Sequence, residues 1–324
     1  MYSSELNRLA LMACLHYREG WTKDEIARYL GVSRFKVMRG LREAKERGII
    51  RFDIDSSLLS RASLEVELVR VLGIRAALVV TAPPEAEAIS YVAAAGAEYL
   101  QSSIPNGAIV GVSWGPTPRQ TVAALRKQQG KQITVVELVG GVSSNAIDSG
   151  HAVALGLAQA FESEDHCHLL ECPAILRRQE LRDSLLDEQP LRATMAVAKA
   201  ADTVIFSTGD FNFSLVLLEA GYLTSEDVAE LRRANAVGSM YARFLDADGV
   251  ECDTSLKGRT LGLSVEEIKS VPHKICITSG QNKIEPVHAA LKGGLIDILI
   301  TDEATATGLL SREQGPTKPV YSKL

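Results

Sequence analysis

Two rhythms of apolar residues run along this chain. Between residues 22 and 47, Ile26, Ala27, Leu30, Val37, Leu41 and Ala44 recur at three- and four-residue intervals, the spacing of a helical face. Thr22-Lys23-Asp24-Glu25 fits a capping box with Thr22 as N-cap, and Trp21 and Ile26 stand where a hydrophobic staple would hold it. The helix breaks at Gly31, where a residue without Cβ takes positive φ. Ser33 then caps a second helix, RFKVMRGLREAKERG. Small Ala27 opposite the turn permits a close crossing, so the pattern predicts a helix-turn-helix. In GIIRFDI, the alternation of Arg51-Phe52-Asp53-Ile54 predicts a short strand, part of a wing. Leu58, Leu64, Leu68 and Leu72 then suit one side of a helix that connects, dimerises or does both.

From about residue 75 the rhythm changes to short continuous apolar runs between longer helical patterns. The predicted strands are AALVV (76–80), AIVGVS (108–113), ITVVELVG (133–140), CHLLEC (167–172), TVIFSTG (203–209), KICITSG (274–280) and DILITD (297–302). Such runs alternating with helices imply an α/β domain whose parallel sheet is covered on both faces. The expected division is a helix-turn-helix head at 1–55, a connector or oligomerisation helix at 56–73 and an effector domain at 74–324.

In parallel sheets of this kind, ligands sit beyond the carboxyl ends of the strands. Several predicted ends are small or polar: Ser113-Trp114-Gly115, Gly140-Gly141, Thr208-Gly209-Asp210, Ser279-Gly280-Gln281 and Thr301-Asp302-Glu303. With Lys283 they supply hydroxyls, amides, carboxylates and one amine, a set suited to a polyhydroxylated or phosphorylated small molecule. In GVSWGPTPRQTV, Thr117 to Gln120 fits a capping box with Pro118 at the first helical position. A strand, a glycine loop and a helix N-terminus there would favour an anion. The plain alternative is that Thr117 and the glycines serve the turn alone. The loop is neither a P-loop nor a GxGxxG fingerprint.

Composition narrows the function classes. The chain has 324 residues, 46% apolar and 23% charged, which suits two globular domains with ample core. No stretch reaches the roughly 18 apolar residues of a membrane span. The five cysteines are irregularly spaced and no basic leader opens the chain, so a cytoplasmic protein without membrane association is expected. Net charge is −5, yet residues 1–52 carry eleven Lys/Arg against six acids. A basic head on an acidic body implies that the head alone meets a polyanion. Arg34, Lys36, Arg39 and Arg42 fall largely off the apolar face of the second helix, with Phe35 and Met38 among them. That face suits phosphates and base edges in the major groove, and the bland alternative is a solvated helical hairpin. Reading paired half-sites would require at least a dimer.

HCHLLEC holds His166, Cys167, His168 and Cys172, but matches no zinc spacing, and no GxSxG nucleophile elbow occurs. No catalytic residue, metal or cofactor is therefore expected. The competing class is a sugar-phosphate isomerase or lyase using Asp210, Asp302 or Lys283 as acid–base groups, with an appended DNA-binding head.

GVSWGPT (111–117), VELVGG (136–141), the segment from Ile277 to Leu310 and the head from Ile26 to Ile50 together resemble the SorC-type sugar-binding transcriptional regulators. The resemblance covers almost the whole chain. It implies a helix-turn-helix (winged-helix-like) reader joined to a Rossmann-like effector domain similar to sugar-phosphate isomerases. It also implies a non-enzymatic tetramer that binds operator DNA and answers to a sugar, commonly phosphorylated. Carried over by motif, the effector residues are Gly111, Ser113, Gly115, Thr117, Gly280, Lys283, Asp302 and Glu303, and Asp210 joins them from its strand end. The reader residues are Thr22, Ser33, Arg34, Phe35, Lys36, Arg39 and Arg42. Pro116 stands where the family often has Arg, Thr278-Ser279-Gly280 where it often has Ala-Gly-Gly, and Gly238-Ser239 where it has Gly-Asp. Fewer cations at the loop keep a neutral sugar or polyol in play beside a sugar phosphate. In the reader helix, Gly40 replaces a usual apolar residue and Met38 a usual Ser.

Overall fold

The computed structural model describes residues 5–52, 56–83, 88–142 and 150–314. The chain divides into two compact units, Met1–Leu59 and Ser60–Leu324, with the division inside a helix.

The first unit holds α1 (Glu5–Ala13), prolonged by a π-helical turn at Cys14–Arg18, then α2 (Lys23–Leu30) and α3 (Arg34–Glu46). The Thr22 hydroxyl accepts the Glu25 N–H at 3.3 Å, and the Glu25 carboxylate accepts the Thr22 N–H at 2.8 Å. Those two bonds satisfy donors that a helix start otherwise leaves orphaned. Gly31 ends α2 in the left-handed region at φ 62°, and the Ser33 hydroxyl accepts the Lys36 N–H at 3.2 Å. Met12, Ile26, Ala27, Val37 and Leu41 form the core of this unit, with Trp21 and Leu30 against it. Gly40 has a packing reason: a Cβ there would lie 2.7 Å from the Met12 sulfur, so a side chain at this position would displace the end of Met12 where α1 and α3 cross. Two expectations fail. Arg51 and Phe52 are not in a strand; Phe52 instead packs edge-on to Tyr17 and under the Lys45 ammonium. Asp53 and Ile54, the rest of that expected strand, lie outside the described residues. Cys14, which its apolar helical surroundings in the sequence mark as a packing residue, is exposed.

The connector is α4 (Ser56–Leu72). Leu64, Leu68 and Leu72 pack into the core of the second unit, so the leucine stripe serves its own domain. The Leu58 side chain lies outside the described residues. Among the described residues the strands are β1 (Ala76–Val80), β2 (Ile109–Val112), β3 (Thr134–Glu137), β4 (Cys167–His168) and β5 (Thr203–Phe206). They continue with β6 (Gly209–Asp210), β7 (Gly238–Met240), β8 (Arg243–Leu245), β9 (His273–Ile277) and β10 (Ile298–Asp302). Between them lie α5 (Ala88–Ser103), α6 (Pro116–Ala123), α7 (Gly150–Ala160), α8 (Gln179–Asp187), α9 (Gln189–Lys199) and α10 (Asn212–Glu219). The remaining helices are α11 (Ser225–Arg233), α12 (Ser255–Arg259), α13 (Val265–Ser270), α14 (Ile284–Lys292) and α15 (Glu303–Gln314).

All seven apolar runs contribute to one seven-stranded sheet in the order β1-β10-β9-β5-β2-β3-β4, with every pairing parallel. Successive residues point to opposite faces and meet different apolar layers. Phe206, Cys276 and Leu299 join one layer; Ile205, Ile275 and Ile300 join the other. Some strands are shorter than the runs that predict them. CHLLEC forms only Cys167–His168, with His166 in a 3₁₀ turn before it. TVIFSTG breaks after Phe206, and Gly209 belongs to a second sheet.

That second sheet, β6-β7-β8, is antiparallel and has no counterpart in the sequence reading. Its hairpin turns through Tyr241 and Ala242, at φ 50° and 58°. Two central residues at positive φ make the tight primed turn that Asn-Gly normally announces. A Tyr-Ala pair carries no such signal.

Candidate functional site

The helix-turn-helix face is built as its caps and spacing imply. Val37, Gly40, Leu41 and Ala44 are buried, while Arg34, Phe35, Lys36, Met38, Arg39 and Arg42 are exposed. Phe35 is 80% exposed, the most open large apolar side chain among the described residues. Arg34 lies 3.8 Å from Asp24, an exposed pair worth little in water. Thr22 and Ser33, also expected at the DNA, spend their hydroxyls on helix caps.

In the second unit, the expected effector residues fall into two groups. One gathers at the ends of β9, β10, β6 and β1. The Gly280 N–H donates to the Thr305 hydroxyl at 2.9 Å and to Asp302 at 3.3 Å. Asp302 also accepts the Thr305 N–H at 2.9 Å and its hydroxyl at 2.7 Å. Both of its oxygens are therefore spent on holding the Gly280 turn. Glu303 accepts the Thr81 hydroxyl at 2.9 Å. Asp210 accepts Asn282 Nδ2 at 2.8 Å. Lys283 is half-buried; burial lowers its ammonium below the usual lysine value, and the nearby Asp210 carboxylate partly restores it.

The other group lies on β2 and α6. Gly111 is in the middle of β2, paired with Val136 and Val204; its absent Cβ makes room for Leu138, against which any side chain would clash. Ser113 is buried just past the strand. Helix α6 starts two residues earlier than its sequence suggests: Gly115 is the N-cap, at φ 140°, and Thr117 is a buried residue of the first turn whose hydroxyl makes no cap. The consequence is chemical. Pro116 and Pro118 occupy the first and third helical positions and have no N–H, so Thr117 alone keeps a first-turn donor. A helix start with two donors missing is a poor anion site. Trp114 ties the loop down, donating to the Gly140 carbonyl at 2.9 Å and packing its ring 5.4 Å from that of Phe213.

Three features escape the sequence reading. Glu137, at the end of β3, is 3% exposed and accepts the Leu170 N–H at 2.6 Å and His151 Nδ1 at 2.9 Å. Burial raises its carboxyl above the usual glutamate value, against the opposing effect of those bonds. The only sequence signal is an acid inside an apolar run. Arg243, buried on β8, donates to the carbonyls of Lys257, Thr260, Gly262 and Leu263 and to Glu251. Lastly, the buried hydroxyls of Thr208, Thr278, Ser279 and Thr301, at the ends of the neighbouring strands β5, β9 and β10, have no hydrogen-bond partner among the described residues. A depression of about 350 Å³ between α6 and α7, lined by Arg119, Val122, Leu125, Lys127 and Ala152 among others, includes none of these strand-end groups. No helix of the described residues is long and apolar enough to cross a membrane.

Comparison with known proteins agrees with this architecture. Residues 56–311 match the Sugar-bind family model, described as "Putative sugar-binding domain". The deoxyribonucleoside regulator of Bacillus subtilis (strain 168) is 29% identical over 311 residues, covering 95% of this chain and 98% of that protein. The sorbitol operon regulator of Klebsiella pneumoniae is 26% identical, covering 95% and 99%. The crystal structure of that full-length regulator, SorC, superimposes with a TM-score of 0.73 at 26% identity, covering 95% of this chain and all of the other. An exposed basic helix-turn-helix face, a parallel sheet with polar strand ends and these full-length likenesses lead to one conclusion: the chain belongs to the SorC-type family of sugar-binding transcriptional regulators.

Proposed function

We propose that the exposed face of α3 reads operator DNA and that a sugar, polyol or sugar phosphate, bound at the strand ends of the second unit, controls that reading. The observation that carries the DNA half is the exposure of Arg34, Phe35, Lys36, Arg39 and Arg42 on a helix whose other face is fully buried. Cations on such a face release counterions from the phosphates, and base edges are read from the same positions. Arg34→Ala with Arg39→Ala should weaken operator binding at least tenfold and reduce the salt slope by about 2, since each phosphate contact contributes about one unit. Unchanged affinity and slope, measured by fluorescence anisotropy on a selected operator, would reject this face.

The effector half rests on the cluster of Asp210, Asn282, Lys283 and the Gly280 turn, with Ser113, Gly115 and Glu303 at neighbouring strand ends. The donor-poor start of α6 favours hydroxyl recognition at the β2 loop, leaving Lys283 as the cation for any phosphate or carboxylate. Gly111 and Thr117 support the loop from within. Binding shifts the population of the oligomer toward one spacing of its DNA-binding heads. The protein works as a homo-oligomer, a dimer or a tetramer, in the cytoplasm, where its operator lies. The relatives are named for deoxyribonucleoside and sorbitol operon regulation, which supports a carbohydrate-type effector here. Of the three acid–base groups the enzyme alternative would use, Asp302 has both oxygens committed to Gly280 and Thr305, which leaves it Asp210 and Lys283. Turnover of a pentose phosphate by the purified protein would revive it.

A further inference from the structure

No packing within the first unit accounts for Phe35. It is 80% exposed and belongs to neither apolar cluster of that unit. The other exposed rings there are supported: Tyr29 packs edge-on to Trp21, and Tyr17 to Phe52. Phe35 makes no such contact among the described residues. Its place on the helix is specific. Phe35 follows the Ser33 cap by two residues and so lies in the first turn of α3. At about 100° per residue it points opposite to Val37, Leu41 and Ala44, which α3 buries. Arg39 and Arg42 share that outward face, and Met38, 39% exposed, lies about one turn on beside Phe35. Arg34 and Lys36 stand to either side. Residues 34–42 hold four cations and no acid.

We propose that Phe35, with Met38 beside it, reads the 5-methyl groups of thymines in the major groove and so sets which operator the protein selects. This rests on the proposal that the exposed face of α3 reads operator DNA. A ring held open among cations can meet another protein's apolar surface or an apolar group on a polyanion. The surrounding charge decides between them. A second copy of this face would set four cations against four, and like charges across an interface oppose association. A duplex brings phosphates to the same cations. In a helix-turn-helix the start of the second helix reaches the base edges. There the thymine methyl is the one apolar group that the base pairs present in the major groove. Arginine reads guanine by hydrogen bonds, and such bonds do not register a methyl. A phenyl ring does. Phe35 and Met38 are about 4.5 Å apart along the helix axis, against about 3.4 Å between base pairs, which suits methyls on neighbouring pairs.

The test uses the full-length protein and an operator that the wild type selects from a random duplex pool. Replacing thymidines one at a time with deoxyuridine removes the methyl and leaves the hydrogen-bonding edge in place. At one or two positions in each half-site the wild type should lose about fourfold in affinity, the worth of one buried carbon. Phe35→Ala should weaken operator binding about tenfold and abolish the deoxyuridine effect at its position. The salt slope should stay as in wild type, because no phosphate contact is lost. Phe35→Leu should keep part of the deoxyuridine effect, and Tm should be the same for all three proteins. An enriched operator lacking thymine in its half-sites overturns the methyl reading. Deoxyuridine effects within about twofold throughout, a margin below one buried carbon, overturn it too, as do effects that persist in full in Phe35→Ala. A changed oligomeric state of DNA-free Phe35→Ala in sedimentation makes the ring a subunit contact, which also overturns it. In each of these cases a reduced salt slope for Arg34→Ala with Arg39→Ala leaves the operator-reading face standing. Failure of the selection to enrich any sequence overturns that face, and the methyl reading with it.

Discussion

The two units of this protein handle polar groups in opposite ways. In the first, the chemistry faces water: Arg34, Phe35, Lys36, Arg39 and Arg42 project from one side of α3, and the hydroxyls of Thr22 and Ser33 are consumed by helix caps. In the second, the polar groups are sunk into the fold. Glu137, Arg243, Asp302, Thr278 and Thr301 are all at least nine-tenths buried. The contrast follows from what each surface must read. A polyanion is bound by exposed cations that shed counterions, and water does not abolish that term. A small neutral molecule is discriminated by hydrogen bonds in a dry place, where leaving one unmade carries a penalty. Removing an exposed cation should therefore cost binding in the head, whereas removing a buried polar group should cost either the fold or the binding in the body, depending on whether the group already has partners.

The largest effect expected from this contrast is at Arg243. Arg243→Met strands four carbonyls and leaves Glu251 buried without its cation. Breaking a buried pair from one side costs about 3–5 kcal/mol. Urea denaturation should report a loss of that order; a loss under 1 kcal/mol would mean that burial does not separate the two units as argued. A smaller effect is expected at Ser33, which caps α3 from the exposed unit. Ser33→Ala should cost about 1 kcal/mol, the usual worth of an N-cap. Operator affinity measured well below the transition should stay within about twofold, a margin small against one hydrogen bond. A tenfold loss would make the hydroxyl a DNA contact after all.

The smallest effect is a slope. Burial raises the Glu137 carboxyl above 4.5, so the folded protein holds that proton more tightly than the unfolded chain. The stability this group contributes is present below the ordinary value and is lost as pH rises from there through the raised one. Glu137→Gln should remove that component, so the wild-type-minus-variant stability should fall with rising pH over that window and be flat above it. A difference that rises with pH would show that His151 and the Leu170 amide outweigh burial.

Much of the fold was legible in short stretches. The Thr22 and Ser33 caps, Gly31 and the i, i+4 apolar positions use contacts between residues only a few apart, and they suffice for α2, α3 and the face of α3. The seven apolar runs likewise give the seven parallel strands, because a strand buried on both faces must be apolar throughout. Local reading failed where two local signals compete. Thr117-Pro118-Arg119-Gln120 looks like a helix start, yet Gly115 and Pro116 begin α6 earlier, which removes the donors that the capping box promised. The leucines of α4 are periodic as expected, but periodicity does not say which surface they meet; they meet their own core.

What the sequence determined by itself is the class of the molecule: a capped helix-turn-helix with a basic outer face, joined to a parallel α/β body whose strands end in polar residues. Only the tertiary structure decided which of those polar residues are free. Asp302 is committed to Thr305 and Gly280, Gly40 packs against Met12, and Phe206 and Cys276 pair although seventy residues separate them. The physical reason is the range of the interactions. Caps and helical faces are fixed by neighbours in sequence, whereas hydrogen-bond satisfaction, close crossings and strand register are settled between segments far apart in the chain. A hydroxyl's sequence neighbours do not reveal whether it already has a partner.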